Sequence, residues 1–217
     1  MASLFAPRYV ILAAVAACAL AIGSAALERR AAGVDTDALI TAAINVSGAP
    51  AERAAAMETV MRPMIANYPI PILIGFVIGS LLLTTIFFLA FKVVESGLTW
   101  GTVFAATIYA LLAQAAARLV LLVPLSAARP PTAEEIVQGT FLSTNVGAVL
   151  SPDSASWLRA LGGSLDALTL LYLFIFVAVL GGSGRSKASD NALGMVVGAC
   201  FVLWLVVRVG WAAAFGR

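Results

Sequence analysis

Three ionisable residues, Arg118, Asp166 and Arg208, lie inside long apolar segments of the sequence. A charge at the centre of a membrane-spanning helix costs about 2.5–3.5 kcal/mol, so such residues usually face neighbouring helices and pair with one another. Gln114 precedes Arg118 by four residues, which is one turn of a helix. These four residues form a candidate intramembrane polar cluster. It could lock helix packing through an ion pair, or it could carry a solute or a proton.

The positions of the three charges along their apolar runs predict a common depth. Asp166 lies three residues from the end of its run, Arg118 six and Arg208 seven. At the helical rise per residue, all three are expected roughly 5–10 Å below the same membrane surface. We therefore expect an ion pair between Asp166 and Arg208, with Arg118 joining or replacing Arg208.

The sequence contains five apolar runs, and three of them contain Arg118, Asp166 and Arg208. Each is long enough to cross the core of a bilayer, which takes roughly 20 helical residues. The predicted fold is an all-α membrane protein: a helical bundle of five transmembrane helices with short interfacial helices. The predicted transmembrane helices are Tyr9–Leu27, Ile70–Phe91, Trp100–Pro124, Gly163–Gly182 and Ala192–Phe215.

The composition agrees with a membrane protein. Of 217 residues, 62% are hydrophobic and 11% are charged, and the mean hydropathy is +1.02. Soluble domains carry about 25% charged residues. Too few charges remain here to solvate a soluble globule or a disordered chain, or to bind nucleic acid. The net charge of +2 is too small to indicate an electrostatic partner.

Motifs for catalysis and metal binding are missing from the sequence. It contains no histidine, which removes the commonest general base and metal ligand and rules out a Ser-His-Asp triad. It has no phosphate-binding glycine loop, no Gly-x-Ser-x-Gly and no Cys-x-x-Cys. Cys18 and Cys200 lie in apolar runs and are expected to be buried thiols. We therefore expect no enzyme activity, no cofactor and no metal.

The chain is predicted to divide into three segments. Residues 1–27 form the first transmembrane helix, or a signal peptide ending near the small residues Ser24-Ala25-Ala26. Residues 28–69 form a polar amphipathic connector with short helices over 35–46 and 50–65. Residues 70–217 form a four-span membrane domain.

Two further helix starts are predicted after the third span. Thr132 is followed three residues later by Glu135, which is a capping-box pattern. Ser151-Pro152-Asp153 has a capping residue followed by proline, a pattern typical of a first helical turn.

The orientation follows from the basic residues near the ends of the spans. Arg8, Lys92, Arg185 and Lys187 fall on the side of the N-terminus, and seven arginines fall on the other side. The raw count favours an N-terminus outside, whereas the two shortest internal loops favour an N-terminus inside. We expect the N-terminus inside and the C-terminus outside, in a bacterial cytoplasmic membrane.

Two glycine pairs have the spacing that allows close approach of membrane helices. They are Gly75 with Gly79 and Gly194 with Gly198. Packing within the chain and a dimer face both fit this pattern.

Four segments, in this order along the chain, resemble the bacterial branch of the Yip family. Those relatives are five-span membrane proteins named for eukaryotic members that interact with Ypt/Rab GTPases. The resemblance covers roughly residues 52–215 and implies a multi-span helical fold without established catalytic activity. Asp166 and Arg208 lie in its most specific pieces. The segments are Asn145-Val146-Gly147-Ala148-Val149-Leu150-Ser151-Pro152-Asp153, Leu158-Arg159-Ala160-Leu161, Ser164-Leu165-Asp166 and Arg208-Val209-Gly210-Trp211-Ala212-Ala213-Ala214-Phe215.

Together these observations predict a non-enzymatic membrane scaffold or accessory subunit of Yip type. It would act through contacts with lipid and with an unidentified membrane-protein partner. The alternative is a small transporter or channel component that uses the cluster of Arg118, Asp166 and Arg208.

Overall fold

The computed structural model describes residues 5–151 and 154–215. It is 81% helical, and the described residues form no strand, so the predicted all-α class is confirmed. The helices are α1 (Pro7–Ala32), α2 (Thr36–Ser47), α3 (Ala51–Ala66), α4 (Pro69–Val93), α5 (Trp100–Ala128), α6 (Ala133–Gln138), α7 (Ser156–Ser164), α8 (Ala167–Gly182) and α9 (Asp190–Phe215), with a 3-10 helix over Val146–Val149.

Four of the helices described, α1, α4, α5 and α9, are long and apolar enough to cross a membrane. They contain four of the predicted spans and extend beyond them by up to five residues, as at the end of α1. The fifth predicted span is not confirmed. Its segment is divided between α7 and α8, and α8 has only 16 residues, fewer than the roughly 20 needed to cross a bilayer core.

The division between α7 and α8 has a local cause. Asp166 is the N-cap of α8, with an extended backbone and a side chain that accepts a hydrogen bond from the Thr169 amide. Aspartate at this position stabilises a helix start because it satisfies an amide that has no partner within the helix. Asp166 therefore precedes a helix instead of lying inside one.

Caps also define the helices of the polar segments. The Asp35 side chain accepts from the Ala38 amide at 2.8 Å and begins α2. Thr132 and Glu135 form the predicted capping box at the start of α6. The Arg129 guanidinium, hydrogen-bonded to Glu135, holds the pKa of that carboxyl below its ordinary value. Of the predicted start at 151–153, Pro152 and Asp153 lie outside the described residues, and α7 begins at Ser156.

The chain forms two compact units. Among the described residues, the first unit takes in 5–17, 78–115, 144–151 and 154–215. The second unit takes in Cys18–Val77 and Ala116–Ser143. In the second unit, α2 packs against both α3 and α6.

An aromatic core holds the first unit together. The ring of Phe176 on α8 lies 4.7 Å from that of Phe87 and 6.2 Å from that of Phe91, both on α4. Tyr172 stacks on Phe176 at 5.9 Å, one turn earlier on α8. Leu193 and other buried side chains of α9 complete this core. The core therefore fixes α8, and with it the position of Asp166, against α4 and α9.

Two short hairpins meet at one end of the first unit. The Lys187 amide, between α8 and α9, donates to the Ser96 carbonyl, between α4 and α5, at 2.8 Å. The aliphatic part of Lys187 covers Gly97, which has a positive φ of 72°. The Arg185 guanidinium lies 4.8 Å from the centre of the Phe5 ring. Two basic residues of the α8–α9 hairpin therefore lie at this end, with Arg185 beside Phe5.

The close approaches at glycine differ from the prediction. At Gly75, Gly79, Gly194 and Gly198, no described atom from another element lies within 4 Å of an added Cβ. The prediction of close packing within the chain at these glycines is therefore wrong. The tight contact lies instead between the 3-10 helix and α7. A Cβ on Gly147 would lie 2.7 Å from the amide nitrogen of Gly163. The dimer-face alternative stays a prediction.

Candidate functional site

The Asp166 carboxylate joins two separate parts of the first unit. One oxygen accepts a hydrogen bond from the Thr144 hydroxyl, 22 residues earlier in the chain. The other oxygen accepts from the amide and the hydroxyl of Thr169, each at 3.0 Å. Both oxygens are therefore occupied by partners within the chain.

A pair of backbone hydrogen bonds reinforces this link. The Ala167 amide donates to the Thr144 carbonyl at 3.1 Å, and the Val146 amide donates to the Leu165 carbonyl at 3.3 Å. They form an isolated antiparallel bridge between Asn145 and Asp166. We call residues 144–147 and 162–169 together the Asp166 junction. It ties the segment before α7 to the start of α8.

Arg208 does not pair with Asp166, so the predicted ion pair is wrong. Among the described residues its guanidinium stacks on Trp204, with 5.2 Å between the central carbon and the ring centre. One guanidinium nitrogen lies 3.9 Å from the Cβ position of Gly163. The physical reason is that the threonine and backbone donors around Asp166 already satisfy its carboxylate.

Arg118 finds a partner that the apolar runs did not reveal. It lies in the second unit, and its guanidinium forms an ion pair with Glu28 at 2.8 Å. The Glu28 side chain is 7% exposed and that of Arg118 is 36% exposed. Burial of a carboxylate requires a compensating charge, and Arg118 supplies it.

Helix α1 continues beyond its predicted end at Leu27, and Glu28 lies on a buried face of this continuation. Ser24, one turn earlier on the same face, is also buried, and its hydroxyl donates to the Leu20 carbonyl at 2.9 Å. Arg29 fixes the end of α1 by donating to the Ile65 carbonyl at 2.8 Å. The four-residue spacing of Ser24 and Glu28 indicates a shared helix face and could have predicted this burial. The charged residues that follow Leu27 led instead to the prediction of a polar connector.

Gln114 lines a cavity in the first unit. The cavity has a volume of about 340 Å³. Thr169 and Trp204 also line it, so the cavity borders side chains that contact Asp166 and Arg208. The predicted cluster of four is thus divided, with Arg118 in the second unit and the other three residues in the first.

The described residues contain no group of three or more Cys, Asp or Glu side chains that could hold a metal ion. The arrangement provides instead one partly buried ion pair, one carboxylate with both oxygens hydrogen-bonded and one cation stacked on a tryptophan. The ion pair and the Asp166 carboxylate each link parts of the chain that are distant in sequence.

Replacing Arg118 with Gln should destabilise the protein, because it leaves the Glu28 carboxylate buried without a partner. Breaking a buried pair costs about 3–5 kcal/mol, and the partial exposure of Arg118 places the loss toward the lower end of that range. The Glu28→Gln/Arg118→Gln double variant should recover much of the loss. Denaturant titration in detergent micelles measures the free energy of unfolding.

The matched control is Arg53→Gln, which removes the same charge from an exposed position on α3. It should leave the free energy of unfolding unchanged. An Arg118→Gln variant as stable as this control would show that the ion pair does not stabilise the fold.

Comparison with known proteins gives no relative. No family model matches the chain, and no curated protein or solved structure matches it. Membership of the Yip family therefore stays a prediction.

Proposed function

We propose that this protein is a non-enzymatic membrane scaffold or accessory subunit of Yip type, acting through contacts with lipid and with a second membrane protein. The support comes from its scarce charged side chains. Arg118 is paired with Glu28, and Asp166 is bound by Thr144 and Thr169. Side chains with these fixed partners suit a rigid support better than a relay.

The saturated carboxylate of Asp166 carries the proposal. A transport site needs a group that exchanges its protein partners for a solute or a proton during each cycle. Releasing Asp166 would remove the N-cap of α8, which costs about 0.5–2 kcal/mol, and would also break the link to Thr144. The cap and the Thr144 bond therefore favour a structural role for Asp166 over a transport role.

The placement of the Yip-like segments supports the family proposal. Residues 145–151, 158–161, 164–166 and 208–215 all lie in the first unit. The Ser156 hydroxyl on α7 donates to the Ala212 carbonyl on α9 at 2.9 Å, and the 3-10 helix packs against α7. Segments that are separate in sequence therefore form one continuous contact region around the Asp166 junction.

We further propose a bacterial cytoplasmic membrane with the N-terminus inside. Lys92, Arg185 and Lys187 belong to the two hairpins that meet in the first unit, and Arg185 stacks on Phe5. Basic residues in short loops are retained on the cytoplasmic side. This end of the first unit would therefore face the cytoplasm.

Asp166→Ala should lower the free energy of unfolding by more than the roughly 0.5–2 kcal/mol expected for loss of a helix cap alone.

Vesicles containing the purified wild-type chain should hold a pH gradient as long as protein-free vesicles do. Crosslinking in native membranes should trap the chain with a second membrane protein.

Asp35→Ala is the matched control, because Asp35 caps α2 in the same way at a different place. It should destabilise by about 0.5–2 kcal/mol, less than Asp166→Ala, which also loses the Thr144 bond, and it should leave the pH gradient unaffected. The scaffold proposal fails if wild-type vesicles lose the gradient while Asp166→Ala vesicles keep it with unchanged stability. Recovery of the chain only by itself after crosslinking would also contradict it.

The orientation is tested with Ser183→Cys and Ser143→Cys variants in a background where Cys18 and Cys200 are replaced by Ala. In intact cells an impermeant maleimide should label Ser143→Cys and leave Ser183→Cys unlabelled until the membrane is opened. Labelling of Ser183→Cys from outside would reverse the proposed orientation.

A further inference from the structure

The cavity of the first unit lies between helices α4, α5, α8 and α9. Its volume of about 340 Å³ is at the lower end of the range of roughly 300–1,000 Å³ found for ligand pockets. Most of its wall is apolar. The main apolar lining residues are Leu83, Ile86, Phe87, Leu111, Leu173 and Phe201. Such a wall suits a hydrocarbon chain better than a polar solute.

A cation stands beside this apolar cavity. Trp204 lines the cavity, and the guanidinium of Arg208 stacks on the same ring. Arg208 is exposed and forms no ion pair or hydrogen bond with any residue that the structure describes. Arginine binds phosphate groups well because its planar donors match the phosphate oxygens. The position therefore offers charge complementarity to an anionic headgroup.

The order of these residues along α9 matches the order of parts in a phospholipid. Arg208 lies seven residues before Phe215 at the end of α9, or roughly 10 Å along the axis. Trp204 and Cys200 follow one and two turns deeper, and both line the cavity. A headgroup at Arg208 would thus continue into an acyl chain directed toward the bilayer centre.

Helix α7 marks the level of the headgroups independently. It packs against α9 and is joined to it by the Ser156 to Ala212 hydrogen bond. Trp157 and Arg159 on α7 are exposed. Tryptophan and arginine on a short amphipathic helix are typical of the membrane interface. Arg208, one turn before Ala212, lies within reach of that interface by extending its side chain.

We propose that an anionic glycerophospholipid binds here, with one acyl chain in the cavity and its phosphate on Arg208. The inference rests on the proposed scaffold role, since the lipid is a retained structural partner and undergoes no reaction. A zwitterionic lipid fits the same cavity but brings a compensating positive charge close to Arg208. The site therefore prefers the anionic headgroup.

Quenching of Trp204 fluorescence by brominated acyl chains tests this site. Trp100, Trp157 and Trp211 are replaced by Phe, and the chain is placed in vesicles of mixed lipid. Brominated phosphatidylglycerol should reach half-maximal quenching at a mole fraction about fivefold lower than brominated phosphatidylcholine, as expected for one basic residue near the membrane surface. Equal quenching by the two lipids would overturn the proposal.

Variants separate the headgroup contact from general effects. Arg208→Gln should abolish the preference, Arg208→Lys should keep part of it, and Arg53→Gln should leave it unchanged. If Arg208→Gln does not fold, Leu173→Phe, which narrows the cavity, should remove the preference in its place. An unchanged preference in Arg208→Gln, or in Leu173→Phe, would contradict the site.

Two further readouts distinguish the possible failures. Inorganic phosphate at millimolar concentration should not displace phosphatidylglycerol; displacement would show that the site takes a free anion instead of a lipid. If the wild-type chain shows no lipid preference but its vesicles keep the pH gradient, the lipid site alone is rejected. Collapse of the pH gradient by the wild-type chain would reject the scaffold role.

Discussion

The bond between Thr144 and Asp166 is the interaction around which the Asp166 junction is built. It joins positions 22 residues apart, while the same carboxylate caps α8 through Thr169. Without it, the start of α8 and the segment before α7 would be joined by the backbone bridge alone. The backbone bridge at Asn145 and the close contact at Gly147 lie directly beside this anchor. The order of the whole junction therefore follows from how one carboxylate is satisfied.

The same constraint governs the other charges placed among apolar helices. An ionised group away from water needs a partner, and the chain uses three different kinds. Glu28 and Arg118 neutralise each other, Asp166 accepts from hydroxyl and amide donors, and Arg208 stacks on an aromatic ring. The first two are closed within the chain. Arg208 has no ion pair or hydrogen bond among the described residues, and for this reason the lipid site is proposed there.

Local features of the fold could be predicted from the sequence, and non-local ones could not. The four spanning helices and the cap at Thr132 depend on apolar length or on residues three positions apart. Thr144 lies 22 residues from Asp166, and Glu28 lies 90 residues from Arg118. No local pattern fixes pairings over such distances. The predicted fifth span is not confirmed, for a different reason. Its apolar run continues through Asp166, which is the N-cap of α8 and lies outside both helices.

A double-mutant cycle on Thr144 and Asp166 tests the central claim most directly. Free energies of unfolding are measured in one detergent for wild type, Thr144→Val, Asp166→Ala and the double variant. Residues in direct contact typically show coupling of about 0.5–3 kcal/mol, and we expect a value in this range. Additive losses, with coupling no larger than about 0.3 kcal/mol, would contradict the claim that this bond anchors the Asp166 junction.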